Sequence, residues 1–593
     1  MNYEETKTES AGAGRSFFSR SRAGLLCALL LTLMAAQMLA VVRQKSLTVD
    51  EPLLIAAGYY HLTAGDFRPV NEHPPVAKVL GALPLLFTGT QAPAIDPRPQ
   101  ANYEYFLNLF RELWKANEAR YEELTFRARV PMVALTILLG VLIYFVARRM
   151  WGTRAALFAV ALYSLEPTVL AHGRVVQTDI PSAFAYFLFA FALYEYLRRP
   201  SLVRAALAGL AAGFAVVTKF SMVVLAPVLC VVFVALLIFA ARWGLKRGHV
   251  AAQAVALALA AVFAVNAAYF FRQREPEPYN LSLARLGLPA ALDESLSGPL
   301  SFGHLALQKI FPVDFVSGID WQLAHNRDGH PAGLLGQHRQ HGWWYYFPVA
   351  FALKTTLPFL LVSLAAIFWA AWVLGRRGFA AEGRLLFLLV PLAVFTGFVL
   401  LSKINIGVRY FLPAFPFLFI AAGVLLDRLL KESVPRRRAA VVALVVILFG
   451  WVGLEAARAY PDHMSYTNQL ASGQPRWYYL SDSNVEWGDD IRALALYLHE
   501  RGERRIGAAL LNWQVLELYG IEQASVFVPP GVAPEETRYV ALGASVLNGS
   551  TVPGQIGDVK LTEEQRVNYF DQYRRRTPEK VFGNSIYLYR MKE

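Results

Sequence analysis

The feature that most limits what this chain can become is a recurrence of apolar runs about 18 to 22 residues long. Each is enough to cross a hydrocarbon core of about 30 Å as an α-helix rising about 1.5 Å per residue. About eleven such runs are found, near residues 25–42, 130–147, 155–171, 180–197, 202–217, 222–241, 250–270, 346–373, 385–401, 410–426 and 439–454. Composition agrees: only 17% of residues are charged and 55% are hydrophobic, where soluble domains carry roughly 25% charge. The mean hydropathy is +0.36. A simple soluble multidomain enzyme is excluded, and the expected fold is a multi-pass α-helical membrane protein.

Basic residues orient the bundle, because Lys and Arg of short loops stay on the cytoplasmic side. Every second loop is basic: Arg148, Arg149 and Arg154; Arg198, Arg199 and Arg204; Arg242, Lys246 and Arg247; Arg376, Arg377 and Arg384; Arg428, Lys431 and Arg436 to Arg438. With a basic tail over residues 1–24, this predicts the N-terminus inside and the C-terminus outside. The net charge of +13 is then largely topological, and nucleic acid is not expected as a partner. The first run exceeds the roughly 7 to 15 residues of a signal-peptide core and reads as a retained anchor. Cys27 and Cys230, the only cysteines, fall inside predicted spans, so no disulfide is expected in the outer regions.

Three stretches interrupt the spans on the predicted outer side: residues 43–129, 271–345 and 458–593. The last alternates a helix at 489–499, strands at 506–511 and 539–545, a polar helix at 562–574 and a strand at 585–590, which predicts a small soluble α/β domain. Sequons at Asn280 and Asn548 lie on this outer side.

Thr48-Val49-Asp50-Glu51-Pro52 follows the first span, and Thr178-Asp179-Ile180-Pro181 precedes the fourth. Each reads simply as a helix start, with an acid near the first turn and proline just inside it. Two caps do not explain why both acids lie on one face at one depth. His73, in Asn71-Glu72-His73-Pro74-Pro75, could contact a phosphate or a metal, or be structural. Lys219, Lys403 and Arg409 stand on the side that the positive-inside rule disfavours, through snorkelling or through an anionic partner. Lys354 reads as lying about 12 Å into its span, where a charge implies a cavity or an anion. Trp487, beside acids in Asp482-Ser483-Asn484-Val485-Glu486-Trp487, either belongs to a helix start or stacks on a sugar. Trp343, Trp344, Tyr345 and Tyr346 read as an interfacial aromatic belt before a sugar platform. Carboxylates beside cations suit transfer of a group from a lipid-linked phosphate to a hydroxyl. The hydroxyl needs a base, and the leaving phosphate needs positive charge.

Taken together, Asp50-Glu51, His73-Pro74-Pro75, His172-Gly173-Arg174 with Thr178-Asp179, and Thr218-Lys219-Phe220-Ser221 resemble the polyprenol-phosphate-sugar-dependent glycosyltransferases of the GT-C superfamily, which include the protein O-mannosyltransferases and the lipid A aminoarabinose transferase. Gly342-Trp343-Trp344-Tyr345-Tyr346-Phe347-Pro348 and Arg409-Tyr410-Phe411-Leu412-Pro413 are similar to bacterial, family 39-like members. The resemblance covers roughly residues 25–460. It implies a transmembrane catalytic domain over 25–457 whose outer loops carry short helices lying along the membrane, and a reaction that inverts the anomeric carbon by direct displacement. It also implies catalytic roles for Asp50, Glu51 and Asp179. Physical grounds, more than motif, give Lys219, Lys354, Lys403, Arg409 and His73 to donor phosphate.

The expectation is therefore a glycosyltransferase of the inner (plasma) membrane with its active site outside. It would carry a sugar from a polyprenyl-phosphate donor to a hydroxyl of protein, lipid or glycan. No cofactor is assigned, and a divalent metal on Asp50, Asp179 and His73 stays open. The rival readings are a transporter or flippase for lipid-linked sugars and an inactive homologue that binds a glycan or a partner.

Overall fold

The computed structural model describes residues 8–96, 103–276, 301–378, 382–529 and 531–591. Among them, nine helices are long and apolar enough to cross a membrane: Arg22–Val42, Glu118–Trp151, Asp179–Arg198, Phe220–Ile238, Arg247–Ala268, Leu357–Arg377, Gly383–Leu400, Val408–Glu432 and Pro435–Ala459. Two shorter apolar helices, Thr153–Leu165 and Leu202–Val216, stand where the other two runs were expected. The chain has a multi-pass helical membrane fold, and both cysteines are free.

Small residues let these helices approach closely, which is how bundles pack where lipid removes the hydrophobic incentive. A Cβ on Gly423 of the central helix would lie 2.5 Å from the Ala155 carbonyl oxygen, and Cβ atoms on Gly209 and Gly213 would lie 2.1 and 2.4 Å from the carbonyls of Leu257 and Ala261. The helices Leu202–Val216 and Arg247–Ala268 are thus in backbone contact.

Two expected spans are broken by proline. The run at 346–373 is a short helix Tyr346–Lys354, an extended Thr355 and Thr356, and then Leu357–Arg377 with Pro358 in its first turn. Lys354 therefore ends a short helix before the span and does not sit deep within it. The run at 155–171 stops at Leu165, because Pro167 pushes Glu166 into extended backbone, and resumes as Pro167–His172.

At one end of the bundle the long loops and the C-terminal segment form a head. The first loop contributes Glu51–Thr63, Pro75–Ala82 and the amphipathic helix Tyr103–Ala116. The C-terminal segment builds a five-stranded mixed sheet in the order Glu522–Ser525, Arg505–Ala509, Tyr539–Gly543, Ile586–Arg590, Lys580–Phe582. The first three strands run parallel and the last two pair antiparallel. The expected polar helix at 562–574 is two short pieces, Glu563–Val567 and Asp571–Arg574, the first closed by a capping box between Thr562 and Gln565. Head and loops share one core: Leu54, Ile55, Leu113 and Trp114 pack with Leu494, Leu498, Ile506 and Leu588.

The aromatic belt is realised only in part. Trp344 is exposed, whereas Trp343 and Tyr346 are buried. Asn548 is also buried, with its amide donating to the Trp477 carbonyl, so that sequon is not a surface acceptor. Asn280 lies outside the described residues.

Candidate active site

The loop that carries Asp50 is held as a strand-like partner of the C-terminal segment. The Ser46 amide donates to the Asp489 carbonyl at 3.0 Å, and that of Val49 to the Trp487 carbonyl at 2.9 Å. Asp50 precedes Glu51–Thr63 and Asp179 opens Asp179–Arg198, yet neither helix start has a side-chain capping hydrogen bond. Both acids turn elsewhere.

They meet around one guanidinium. Arg409 Nη1 lies 3.6 Å from Asp50 Oδ2 and 3.6 Å from Asp179 Oδ2. Lys219 Nζ lies 2.5 Å from Asp179 Oδ1 and 3.9 Å above the Tyr410 ring. Gln177 Nε2 donates to Asp50 Oδ2 at 2.7 Å. Arg409 is itself fixed: its guanidinium lies 4.2 Å over the Trp487 ring, and Nε donates to Ser483 Oγ at 3.0 Å. A Cβ at Gly407 would come within 2.4 Å of that same Oγ, so the close approach requires glycine. Trp487, with its face taken by Arg409, is not a sugar platform.

A cavity of about 740 Å³ opens beside this group. Asp50, His73, Arg409, Tyr410, Asp482 and Trp487 are among the residues that line it. The Asp50 side chain is 29% exposed and that of Asp179 only 1%. Burial pushes the Asp50 carboxyl up to about 6, although Arg409 opposes the shift. Burial, with Lys78, Arg409 and Lys219 nearby, pulls His73 down to about 3, so its imidazole is neutral.

Asp179 and Lys219 stand just behind the cavity lining, bonded to each other and, through Asp179, to Arg409; three other residues singled out in the sequence take no part in this group. Glu51 is fully buried, pairs with Arg129 Nη2 at 2.6 Å, and accepts from the Thr48 and Val176 amides at 2.8 Å each. Both its oxygens are occupied, so Glu51 clamps the Asp50 loop to the loop that carries Gln177. Lys354 Nζ donates to the Met464 carbonyl at 2.7 Å and to that of Asn484, and so holds protein backbone. Lys403 is exposed, and its backbone amide donates to Asn326.

Residues that sequence reasoning missed are mostly partners of these. Gln177 was visible between Arg174 and Asp179 but carried no signal of its own. Ser483 and Asn484 lie in the stretch that reads as a helix start; in the structure Ser483 binds Arg409, and Asn484 Oδ1 accepts from the Val408 amide at 2.9 Å. Asp482 stands at φ +55°, an uncommon conformation for a side-chain-bearing residue, with a carboxylate on the cavity wall. Arg174 pairs with Asp489 at 2.8 Å behind Trp487.

Among the described residues, no group of three or more His, Cys, Asp or Glu gathers to hold a metal. Asp50 and Asp179 instead share Arg409 between them, so these residues do not fit a bridging cation. The site is thus a carboxylate facing a cavity, a second carboxylate behind it, and two anchored cations.

Such a site at the head of a multi-pass helical bundle is a membrane-borne acid–cation centre. Residues 103–266 match the model of the family described as dolichyl-phosphate-mannose-protein mannosyltransferase. That match agrees with the GT-C resemblance read from the spaced motifs. The chain is also similar to ArnT from Cupriavidus metallidurans bound to undecaprenyl phosphate, at 14% identity over 87% of this chain and 92% of that one, with a TM-score of 0.45. A second similar structure is the archaeal oligosaccharyltransferase AglB from Archaeoglobus fulgidus in complex with an inhibitory peptide and a dolichol-phosphate, at 13% identity over 87% and 69%, with a TM-score of 0.41. No curated protein sequence matches the chain.

Proposed function

We propose that this protein is a glycosyltransferase that moves a sugar from a polyprenyl-phosphate donor to a hydroxyl acceptor. The observation that carries the reading is the meeting of Asp50 and Asp179 across Arg409, with Lys219 adjoining, beside a cavity that Asp50 and Arg409 line. Asp50 takes the acceptor proton as the oxygen bonds to the anomeric carbon, while the carbon–oxygen bond to phosphate breaks and its electron pair leaves with the phosphate. Inversion at the carbon follows from a single displacement. Burial raises the Asp50 carboxyl toward neutral pH, the range in which a general base is most effective. Arg409 and Lys219 receive the charge that develops on the leaving phosphate. Asp179 holds those two cations in place.

The basic loops cluster at the helix ends opposite the head, which supports a plasma-membrane protein with its site on the periplasmic or extracellular side. A transporter is disfavoured by the position of the charged group: Asp179 is the first residue of its helix, whereas transporters gather such groups near the bilayer midplane. The test is transfer of labelled sugar from a polyprenyl-phosphate donor by the purified protein. Loss in both Asp50→Asn and Asp179→Asn is expected. Transfer by both at the wild-type rate would sink the reading.

A further inference from the structure

The proposed chemistry uses Asp50 and Arg409, but about 740 Å³ is space for more than one sugar ring, and one wall of the cavity has a different chemistry. That wall is the helix Val313–Asp328. It is locked against the first loop: a Cβ on Gly318 would lie 2.3 Å from the Asn71 carbonyl oxygen, Asn71 Nδ2 donates to Ser317 Oγ at 3.1 Å, and Gln322 Nε2 donates to the Glu72 carbonyl at 2.9 Å. One to two turns on from Gly318, the helix presents Trp321, Gln322 and His325 to the cavity.

Two described tryptophans line the cavity, and only one has an open face. Trp487 is 1% exposed and covered by Arg409, whereas Trp321 is 44% exposed. The His325 ring meets Trp321 edge-on at 4.8 Å, which steadies the indole from one side. Glu72 also lines the cavity here, and burial raises its carboxyl toward the neutral form. Burial and His330 lower the His325 imidazole, and the nearby guanidiniums of Arg68 and Arg274 are paired with Asp66 and Asp314. An open indole face flanked by amides, a neutral imidazole and paired charges is poorly suited to a phosphate. It is well suited to the C–H face of a pyranose, whose positive hydrogens meet the negative ring face while its hydroxyls reach the polar rim.

We propose that Trp321 is the floor of a carbohydrate subsite and that the acceptor is a glycan, one ring of which lies on Trp321 with a hydroxyl directed to Asp50. This rests on the glycosyltransferase reading for its use, but the binding site is testable without it.

The first arm is equilibrium binding of maltotetraose and cellotetraose to the full-length protein in detergent, comparing wild type with Trp321→Ala and Trp321→Phe. Saturable binding of at least one glycan is expected, weakened about tenfold in Trp321→Ala and largely kept in Trp321→Phe, with unchanged melting in both variants. Equal binding by wild type and Trp321→Ala, or binding of neither glycan, overturns the subsite. The second arm is transfer. A raised acceptor KM at unchanged donor KM in Trp321→Ala supports an acceptor glycan, while a raised donor KM alone reassigns the ring to the donor sugar and overturns the acceptor assignment. A peptide or lipid hydroxyl glycosylated equally well by wild type and Trp321→Ala also overturns it. Should Trp321→Ala lose glycan binding while Asp50→Asn leaves transfer intact, the subsite stands and the proposed mechanism falls.

Discussion

At the scale of single residues, the two carboxylates that look alike in sequence are separated by their surroundings. Asp50 faces the cavity and is pushed up to about 6, so the base is lost as pH falls through that value. The expected profile of kcat/KM therefore rises with slope one up to about pH 6 and flattens above it. Asp50→Asn should abolish this limb and lower kcat by about 10² to 10⁴, as read by initial rates between pH 5 and 8. Asp482 raises a different question, because it stands at φ +55° on the cavity wall. Glycine adopts that backbone without strain and alanine does not. Asp482→Gly should be at least as stable as the wild type and Asp482→Ala less stable by about 1 kcal/mol, as read by thermal unfolding. If the carboxylate itself matters, both should lose transfer equally. Glu51 and Asp50 are neighbours in sequence, but Glu51 spends both oxygens on Arg129 and backbone amides. Arg129→Met should leave that buried carboxylate without its partner at about 3 to 5 kcal/mol, and adding Glu51→Gln should recover part of the loss in thermal unfolding.

At the scale of elements, the apolar runs were legible because length and hydropathy alone decide a span. The breaks were legible in kind but not in position. Pro167 and Pro358 were both in view, yet a run of apolar residues on either side hid the extended residues before them. The pairing of helices was not legible, since a glycine gives no sign of which backbone it will touch. Gly209 and Gly213 illustrate this, lying against Leu257 and Ala261 of a helix some fifty residues away in sequence. Substituting either by valine forces the two backbones apart. The double variant should lower the melting temperature in detergent clearly, while the surviving folded protein retains its donor KM, because neither glycine approaches the cavity.

At the scale of the whole molecule, the site belongs to neither the bundle nor the head alone. Asp179, Lys219 and Arg409 come from helix ends, Asp50 from the first loop, and Ser483 and Trp487, which fix Arg409, from the C-terminal segment. The sequence showed both acids at one depth, but nothing in it tied residues 482–490 to the loop at 46–49; that link is made by backbone hydrogen bonds. Lys354 closes the same assembly from the other side by gathering the Met464 and Asn484 carbonyls. Its expected role as a donor contact and the positioning role implied by this geometry give opposite kinetics. If Lys354 touches phosphate, Lys354→Met raises donor KM first. If it braces the segment that holds Arg409, two buried carbonyls lose their donor, the protein melts lower, and kcat falls while donor KM stays near wild type. The second pattern is expected, and a selective rise in donor KM would return Lys354 to the phosphate.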